Sequence, residues 1–421
     1  KYRSNYSRTR IKNKVGDTFM NRFSLKQIFS YGFHIVLAMN IFGIFLSCAQ
    51  LHQQKSDVQP SNSSWQSNQI EKGNTSNFLI PPTSPIDNSL VQKDEFQQPL
   101  FQHIIAQTQK TQQAILLEFS TEWCGTCKKF KKEVLSNPKV QELFSIVLSI
   151  EYDAEKGEGA KVAEQFKIAN YPTFVFLDPE GNEIDRYIGF LDIDNFLITA
   201  KNIFQEKNTL KDYLRQLQTR PQDITLHYEI GLRYGWKLDS ENAMIFLGYV
   251  AKQDPQNQFG FTDKSLYQIG RVFSKTGKSE QAIDYLQRLI TSFPQSSERA
   301  SAYSLLAKTY DNSGREDLAL KTYRSYLNEN KTDPKAQNAF AWFCAGKKID
   351  LDEALIVAQK AVESTNEKEP GIIDTLAEVL FAKNEIDAAV STIEKAIALD
   401  PEDKYYYKQK TRFLAAKESN K

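Results

Sequence analysis

A ladder of small and aromatic residues recurs at intervals in the thirties through the second half of the chain, and it limits what that half can fold into. Gly231, Tyr234, Ala243, Leu247, Val250 and Pro255 return as Gly270, Phe273, Ala282, Leu286, Leu289 and Pro294. The same spacing brings back Ala307, Tyr310, Ala319, Tyr323 and Tyr326, and later Ala377, Leu380, Ala389, Ile393, Ala396 and Pro401. A further unit, around Ala341 and Ala354 to Ala361, fits with one extra residue in its turn. A repeat of this length holds one pair of helices, with small residues where the two cross closely and proline closing the unit. One pair exposes an apolar face, so the units must stack, and this half of the chain reads as a solenoid rather than a single globular core.

The ladder resembles the tetratricopeptide (TPR) repeat over residues 222–403, about five units, with a polar capping helix at 404–421 that carries Lys404, Lys408 and Lys410. Stacked TPR units leave a concave groove that takes a peptide or a partner's helix. In this register Tyr228, Trp236, Lys264, Tyr267, Arg271, Lys275 and Lys308 line it, a basic and aromatic surface suited to an acidic or extended chain; the competing reading is an ordinary solvated face. Cys344, between Trp342–Phe343 and Ala345, reads as a small core residue.

A second constraint lies upstream, in Trp123-Cys124-Gly125-Thr126-Cys127. An apolar run, Ile115 to Phe119, precedes it, and a lysine-rich stretch from Lys128 to Leu135 continues it: strand, sharp turn, helix. Cysteines at i and i+3 on a first helical turn face the same way, and the free amides there favour a thiolate. Zinc would need a second ligand pair, and no other Cys-x-x-Cys exists in the chain. A purely structural disulfide more often closes a longer loop. A redox-active pair, with no metal and no cofactor beyond the two sulfurs, is the expectation.

Residues 98–206 resemble the thioredoxin superfamily. Ile115 to Cys127 is similar to its active-site strand and turn, and Tyr171-Pro172-Thr173 to its second signature. The pattern between fits as well: a helix from Asn137 to Phe144, a strand from Ile146 to Tyr152, a helix from Gly159 to Phe166, a strand from Phe174 to Leu177, a turn at 179–182, a strand from Glu183 to Ile188 and a closing helix from Asp192. The fold expected is therefore an α/β thioredoxin-like domain, a central mixed sheet flanked by helices, followed by an all-α TPR solenoid, with a helical connector at 207–221.

The resemblance implies roles. Cys124, beside Trp123, would attack a substrate disulfide and Cys127 would resolve the mixed disulfide. Glu118 would be the buried carboxylate that assists proton transfer at Cys127; alternatively it is a solvated glutamate on a strand edge. Pro172 would follow a cis bond, its loop packed on the dithiol, with the Tyr171 backbone free to pair with a substrate strand; alternatively it is an ordinary loop proline. Departures include Thr126 where cytoplasmic thioredoxins carry proline, Ser120 where an aromatic residue is common, and no lysine on the 146–152 strand to couple with Glu118. The run WCGTCKKFKKEVLSNPKV is most similar to the thioredoxin-like domain that ends the DsbD-type transmembrane reductases.

Residues 1–19 are polar and basic and read as an upstream extension ahead of Met20. Arg22 and Lys26 then precede an uncharged run that ends at Ser47-Cys48, which looks like a lipoprotein export signal over 20–47 with lipidation at Cys48. The alternative is an uncleaved membrane anchor. Both place the remainder outside the cytoplasm; Ala49 after the lipidated cysteine leans toward the outer membrane. Residues 48–97, rich in Gln, Ser, Asn and Pro, read as a disordered tether with a span of roughly 35 Å.

With a formal net charge of +1 over 421 residues, no global basic field attracts nucleic acid. The expected protein is a membrane-tethered, extracytoplasmic thiol:disulfide oxidoreductase of the cell envelope. Its partners would be protein disulfides or dithiols, an envelope electron donor or acceptor, a protein or peptide in the TPR groove, and the membrane through a lipid anchor. The competing expectations are a TPR scaffold whose thioredoxin-like domain is a redox sensor or non-catalytic, and a chaperone for an envelope complex.

Overall fold

The computed structural model describes residues 93–95 and 97–419. The export signal, Cys48 and nearly all of the polar segment expected as a tether lie outside the described residues. At the end of that segment Lys93 bridges Pro99, and Asp94 accepts from the amides of Gln98 and Glu158 at 2.8 and 2.6 Å. Residues just ahead of 98 are thus packed onto the first domain. Among the described residues no helix is long and apolar enough to cross a membrane.

Helix α1, Phe101–Thr111, opens the first domain. Strand β1, Ile115–Ser120, leads into α2, Gly125–Phe130, whose path continues as a π-helical turn over Lys131–Leu135. Then follow α3 (Pro138–Phe144), β2 (Leu148–Asp153), α4 (Gly157–Gln165), β3 (Thr173–Leu177), β4 (Glu183–Ile188) and α5 (Ile193–Phe204). The sheet order is β2-β1-β3-β4, with β1 parallel to β2 and antiparallel to β3, and β3 antiparallel to β4. Because β1 is central, five of its six residues are buried, as expected of a strand covered on both faces. One face packs Phe119, Tyr152 and Phe166 against Phe101 and Ile104 of α1; the other packs Phe130, Phe174 and Phe196. The residues of helix α1 give a weak helical signal, because its buried face has only Phe101 and Ile104 as buried apolar members and is continued by Thr108, whose hydroxyl donates to the Pro179 carbonyl at 2.8 Å.

Helix α6, Leu210–Thr219, leads to five antiparallel pairs: α7 (Ile224–Trp236) with α8 (Ser240–Gln253), α9 (Thr262–Lys275) with α10 (Ser279–Ser292), α11 (Arg299–Asn312) with α12 (Glu316–Glu329), α13 (Pro334–Lys347) with α14 (Leu351–Ser364), and α15 (Pro370–Ala382) with α16 (Ile386–Leu399). Helix α17, Lys404–Ser419, closes the array. The small residues of the ladder sit where paired helices touch: a Cβ added to Gly231 or Gly270 would come within 2.6 or 2.7 Å of Leu247 or Leu286 Cγ. Cys344 is wholly buried in this core, and burial pushes its thiol up to about 12.

Both ends of the array touch the α/β domain. At the near end Asp185 of β4, fully buried, accepts from Arg233 Nε of α7 at 3.0 Å and from the Leu210 amide at 2.8 Å. Trp236, expected in the groove, is instead buried there: its ring meets Tyr187 of β4 edge-on at 5.6 Å, and its carbonyl accepts from Arg186 at 3.4 Å. At the far end Lys408 of α17 reaches Glu122 at 2.8 Å, and Asp403 pairs with Lys128 at 2.5 Å. Of the lysines on the capping helix, Lys408 faces the α/β domain and Lys410 pairs with Glu394 within the array.

Candidate dithiol site

The turn between β1 and α2 fixes both cysteines. Cys124 caps α2 in extended conformation, held by its amide's bond to the Thr121 carbonyl at 3.1 Å. Its Sγ accepts from the Cys127 amide at 3.1 Å, a hydrogen bond that would favour the thiolate once the pair is reduced. The two are joined as a disulfide, with Cα atoms 5.2 Å apart, and both residues are buried. Trp123 beside them is 55% exposed, and its indole N–H donates to Glu155 at 2.9 Å.

The second signature comes to the same place. Tyr171–Pro172 is cis, and Tyr171 meets Trp123 edge-on at 5.8 Å. Pro172 is buried, and its carbonyl accepts from Gly189 at 2.9 Å, so it is no loose loop proline. The exposed Trp123 face and the Tyr171 backbone together form a surface on which an extended segment could lie beside the sulfurs.

Glu118 lies on central β1, opposite Glu151 of β2 and Phe174 of β3. It is 4% exposed, which removes the solvated-edge alternative. Burial pushes its carboxyl up to about 8, aided by the neighbouring Glu151 charge and opposed by Lys131. A carboxyl that titrates there can give or take a proton at neutral pH. The lysine missing from β2 is supplied by the π-helical turn after α2: Lys131 Nζ holds Glu151 Oε2 at 2.7 Å and acts on Glu118 through its charge. Lys131 follows Cys127 by four residues, so both lie on one helical face; that spacing was the available signal. A cavity of about 560 Å³ beside this cluster is lined by Cys127, Lys128, Lys131 and Glu151, and also by residues 402–404 ahead of and opening α17.

In the array, Tyr228, Tyr267 and Arg271 come together on α7 and α9, with Lys308 on the following α11. Tyr228 packs on Phe261 at 4.9 Å. Arg271 donates from Nε to Gln268, while its buried Nη2 has no hydrogen-bond partner among the described residues. Burial, then Lys308 and Arg271, hold the Lys275 ammonium below its ordinary value. Lys264 lies over the Phe261 ring at 5.7 Å.

A family model for the thioredoxin-like domain matches residues 101–203, and models for the tetratricopeptide repeat match 264–296, 300–333 and 372–403. The thiol:disulfide interchange protein DsbD of Yersinia pestis (strain Pestoides F) is 34% identical over 108 residues, 25% of this chain and 18% of that protein. The DsbD of Haemophilus influenzae (strain PittEE) is 27% identical over 179 residues, 41% of this chain and 29% of that protein. The chain thus spans less than a third of the length of these relatives. Among solved structures, YrrB, described as a TPR protein with an unusual peptide-binding site, aligns at 16% identity and a TM-score of 0.36 over 48% of this chain and 100% of its own. The chain therefore carries a thioredoxin-like domain, followed by an array that includes tetratricopeptide repeats.

Proposed function

We propose that the protein is a thiol:disulfide oxidoreductase of the cell envelope, tethered to the membrane through Cys48, whose TPR array docks protein partners. The observation that carries this reading is the Cys124–Cys127 disulfide set at the start of α2 beside the Tyr171–Pro172 loop. In the reducing direction the Cys124 thiolate attacks a sulfur of a substrate disulfide, and one substrate thiolate leaves. Cys127 then attacks Cys124 Sγ, releasing the second substrate thiolate and closing the pair. Two electrons pass to the substrate, and Glu118 takes the Cys127 proton as that thiol becomes a nucleophile. No cofactor enters; a dithiol partner in the envelope restores the pair, and the relative potentials set which way the exchange runs. The groove around Tyr228, Tyr267, Arg271 and Lys308 would hold an extended protein segment.

The test is a Cys127→Ala variant, which leaves the mixed disulfide without its resolving thiol. It should accumulate adducts that non-reducing electrophoresis separates and dithiothreitol dissolves, and a Cys124→Ser/Cys127→Ala protein should form none. If Cys127→Ala yields no thiol-sensitive adduct in its own compartment, the oxidoreductase reading fails. Cys48→Ser should move the protein from the membrane fraction to the soluble one.

A further inference from the structure

The two ion pairs at the far end of the array bracket the redox motif. Glu122 immediately precedes Trp123, and Lys128 immediately follows Cys127. Their partners, Lys408 and Asp403, belong to the last helix of the array and the turn before it. Glu122 also receives Lys156 of the α/β domain at 3.3 Å, so the lip on the β2 side of the dithiol and the array's end share one charge network. The 560 Å³ cavity between them has Cys127 on one wall and Glu402, Asp403 and Lys404 on the other. The Pro172 side, across β3, carries no such cover among these contacts.

The two ends of the array are held in different ways. The near end is fixed by a buried ion pair, with Asp185 fully and Arg233 nearly enclosed, and by the Trp236–Tyr187 contact. At the far end the Lys408–Glu122 pair is half-exposed, with side chains 66% and 31% exposed, while the Lys128–Asp403 pair is more enclosed, at 36% and 9%. Exposed pairs of this kind contribute little and are screened by salt, whereas buried ones are not. A joint fixed at one end and weakly paired at the other is built to open at the weak end.

We propose that α17 is an electrostatic latch on the β2 side of the redox centre: Lys408 and Asp403 clasp Glu122 and Lys128, holding the array over the Cys127 side of the pair, and release of the clasp opens that side to protein-sized partners while the Trp123–Pro172 side stays uncovered throughout. Small reagents pass through the cavity whether the latch is closed or open. The proposal concerns access to the dithiol whose chemistry is proposed above, but its readout is alkylation, which needs a free thiol and no turnover.

The full-length protein is reduced, and Cys127 labelling is followed by peptide mass with two probes, iodoacetamide and a polymer-linked maleimide too bulky for the cavity. Lys408→Glu should raise the polymer rate roughly fivefold, the factor that one surface ion pair can shift an equilibrium, Asp403→Lys, which breaks the more enclosed pair, should raise it at least as far, and both should leave the iodoacetamide rate unchanged. Glu122→Lys combined with Lys408→Glu should return the polymer rate toward that of the wild type. Raising salt to 1 M, where the screening length is about 3 Å, should open the unaltered protein in the same way, with no variant required to fold. The latch is refuted if the polymer rate ignores both salt and charge reversal, or if both probes accelerate equally, which would report a more reactive thiolate. Failure of Cys127→Ala to trap substrates together with a salt-dependent polymer rate would sink the oxidoreductase reading and leave the latch standing.

Discussion

Glu118 links the site's chemistry to the stability of the domain. Its carboxyl titrates near 8 in the folded state against 4.5 ordinarily. Between those values the folded protein keeps a proton that the unfolded chain has lost, so this group's contribution is complete below pH 4.5, falls as pH rises and levels off above about 8. Glu118→Gln cannot ionise, so it should be more stable than the parent at pH 8.5 by about 2–4 kcal/mol, with the gap closing toward pH 4.5. Thermal unfolding at the two pH values measures this, and an equal gap at both would mean that Glu118 is not buried as its neutral acid. The same variant should slow release of substrate from Cys124, because Cys127 loses its proton acceptor. Lys131→Met removes the cation that opposes the upward shift, and should move the pH midpoint of that release step further alkaline; an unmoved or more acidic midpoint would show that Lys131 does not act on Glu118. The meeting of Cys124, Cys127 and Trp123 with the Tyr171–Pro172 loop was legible in the sequence, because local spacing and chain order carry it, whereas the burial of Glu118 was one of two readings that the strand's pattern left open. Lys131 was less legible: its spacing of four from Cys127 was a signal, but four lysines fall within residues 128–132, and spacing alone does not say which of them pairs with Glu151 on β2.

At the scale of elements, period and residue size made the array readable, and the crossings show why. Gly231 and Gly270 lie where α7 meets α8 and α9 meets α10, and an added Cβ would press on Leu247 or Leu286. Gly231→Ala gains about 1 kcal/mol of helix propensity, but it overpacks a crossing where Leu247 N also lies only 3.0 Å from the new carbon, at a cost of about 1–3 kcal/mol. A net loss is expected, visible as a lower urea midpoint at unchanged slope; a raised midpoint would mean that the helices separate without penalty. The pairing of helices at the ladder's small residues followed the sequence because each unit repeats the same local instruction. Helix α1 escaped, since its buried face has only two apolar members, Phe101 and Ile104, and is completed by aromatic residues of the sheet. Trp236 was misplaced for a related reason: repeat register puts it on the inner face, but α7 is the first repeat helix and its neighbour is β4 instead of another repeat. Register predicts environment only where both neighbours are repeats.

Across the whole molecule, the orientation of the array on the thioredoxin-like domain depends on the Asp185–Arg233 joint, which no sequence period could reveal because its partners are 48 residues apart in different folds. Arg233 donates to Asp185, to the Glu229 carboxylate at 2.6 Å and to the Asn208 carbonyl at 2.8 Å, and lies over the Tyr213 ring at 4.6 Å. Burial raises the Asp185 carboxyl and the Arg233 charge partly offsets it, so each group is tolerable only in the presence of the other. Removing one partner strands a buried charge, and Arg233→Met should cost about 3–5 kcal/mol. Asp185→Leu alone should cost less, about 1–3 kcal/mol, because only Arg233 Nε and the Leu210 amide lose their acceptor while the guanidinium keeps the Glu229 carboxylate and the Asn208 carbonyl. The double variant replaces the pair with apolar groups and should recover the greater part of either loss. Denaturant unfolding of the four proteins closes the cycle. Additive losses would mean that the two groups stabilise their own domains independently and that the joint does not orient the array. Strong coupling would place the stiffness of the molecule at this end, leaving the α17 contact at the other end free to open without unfolding either part.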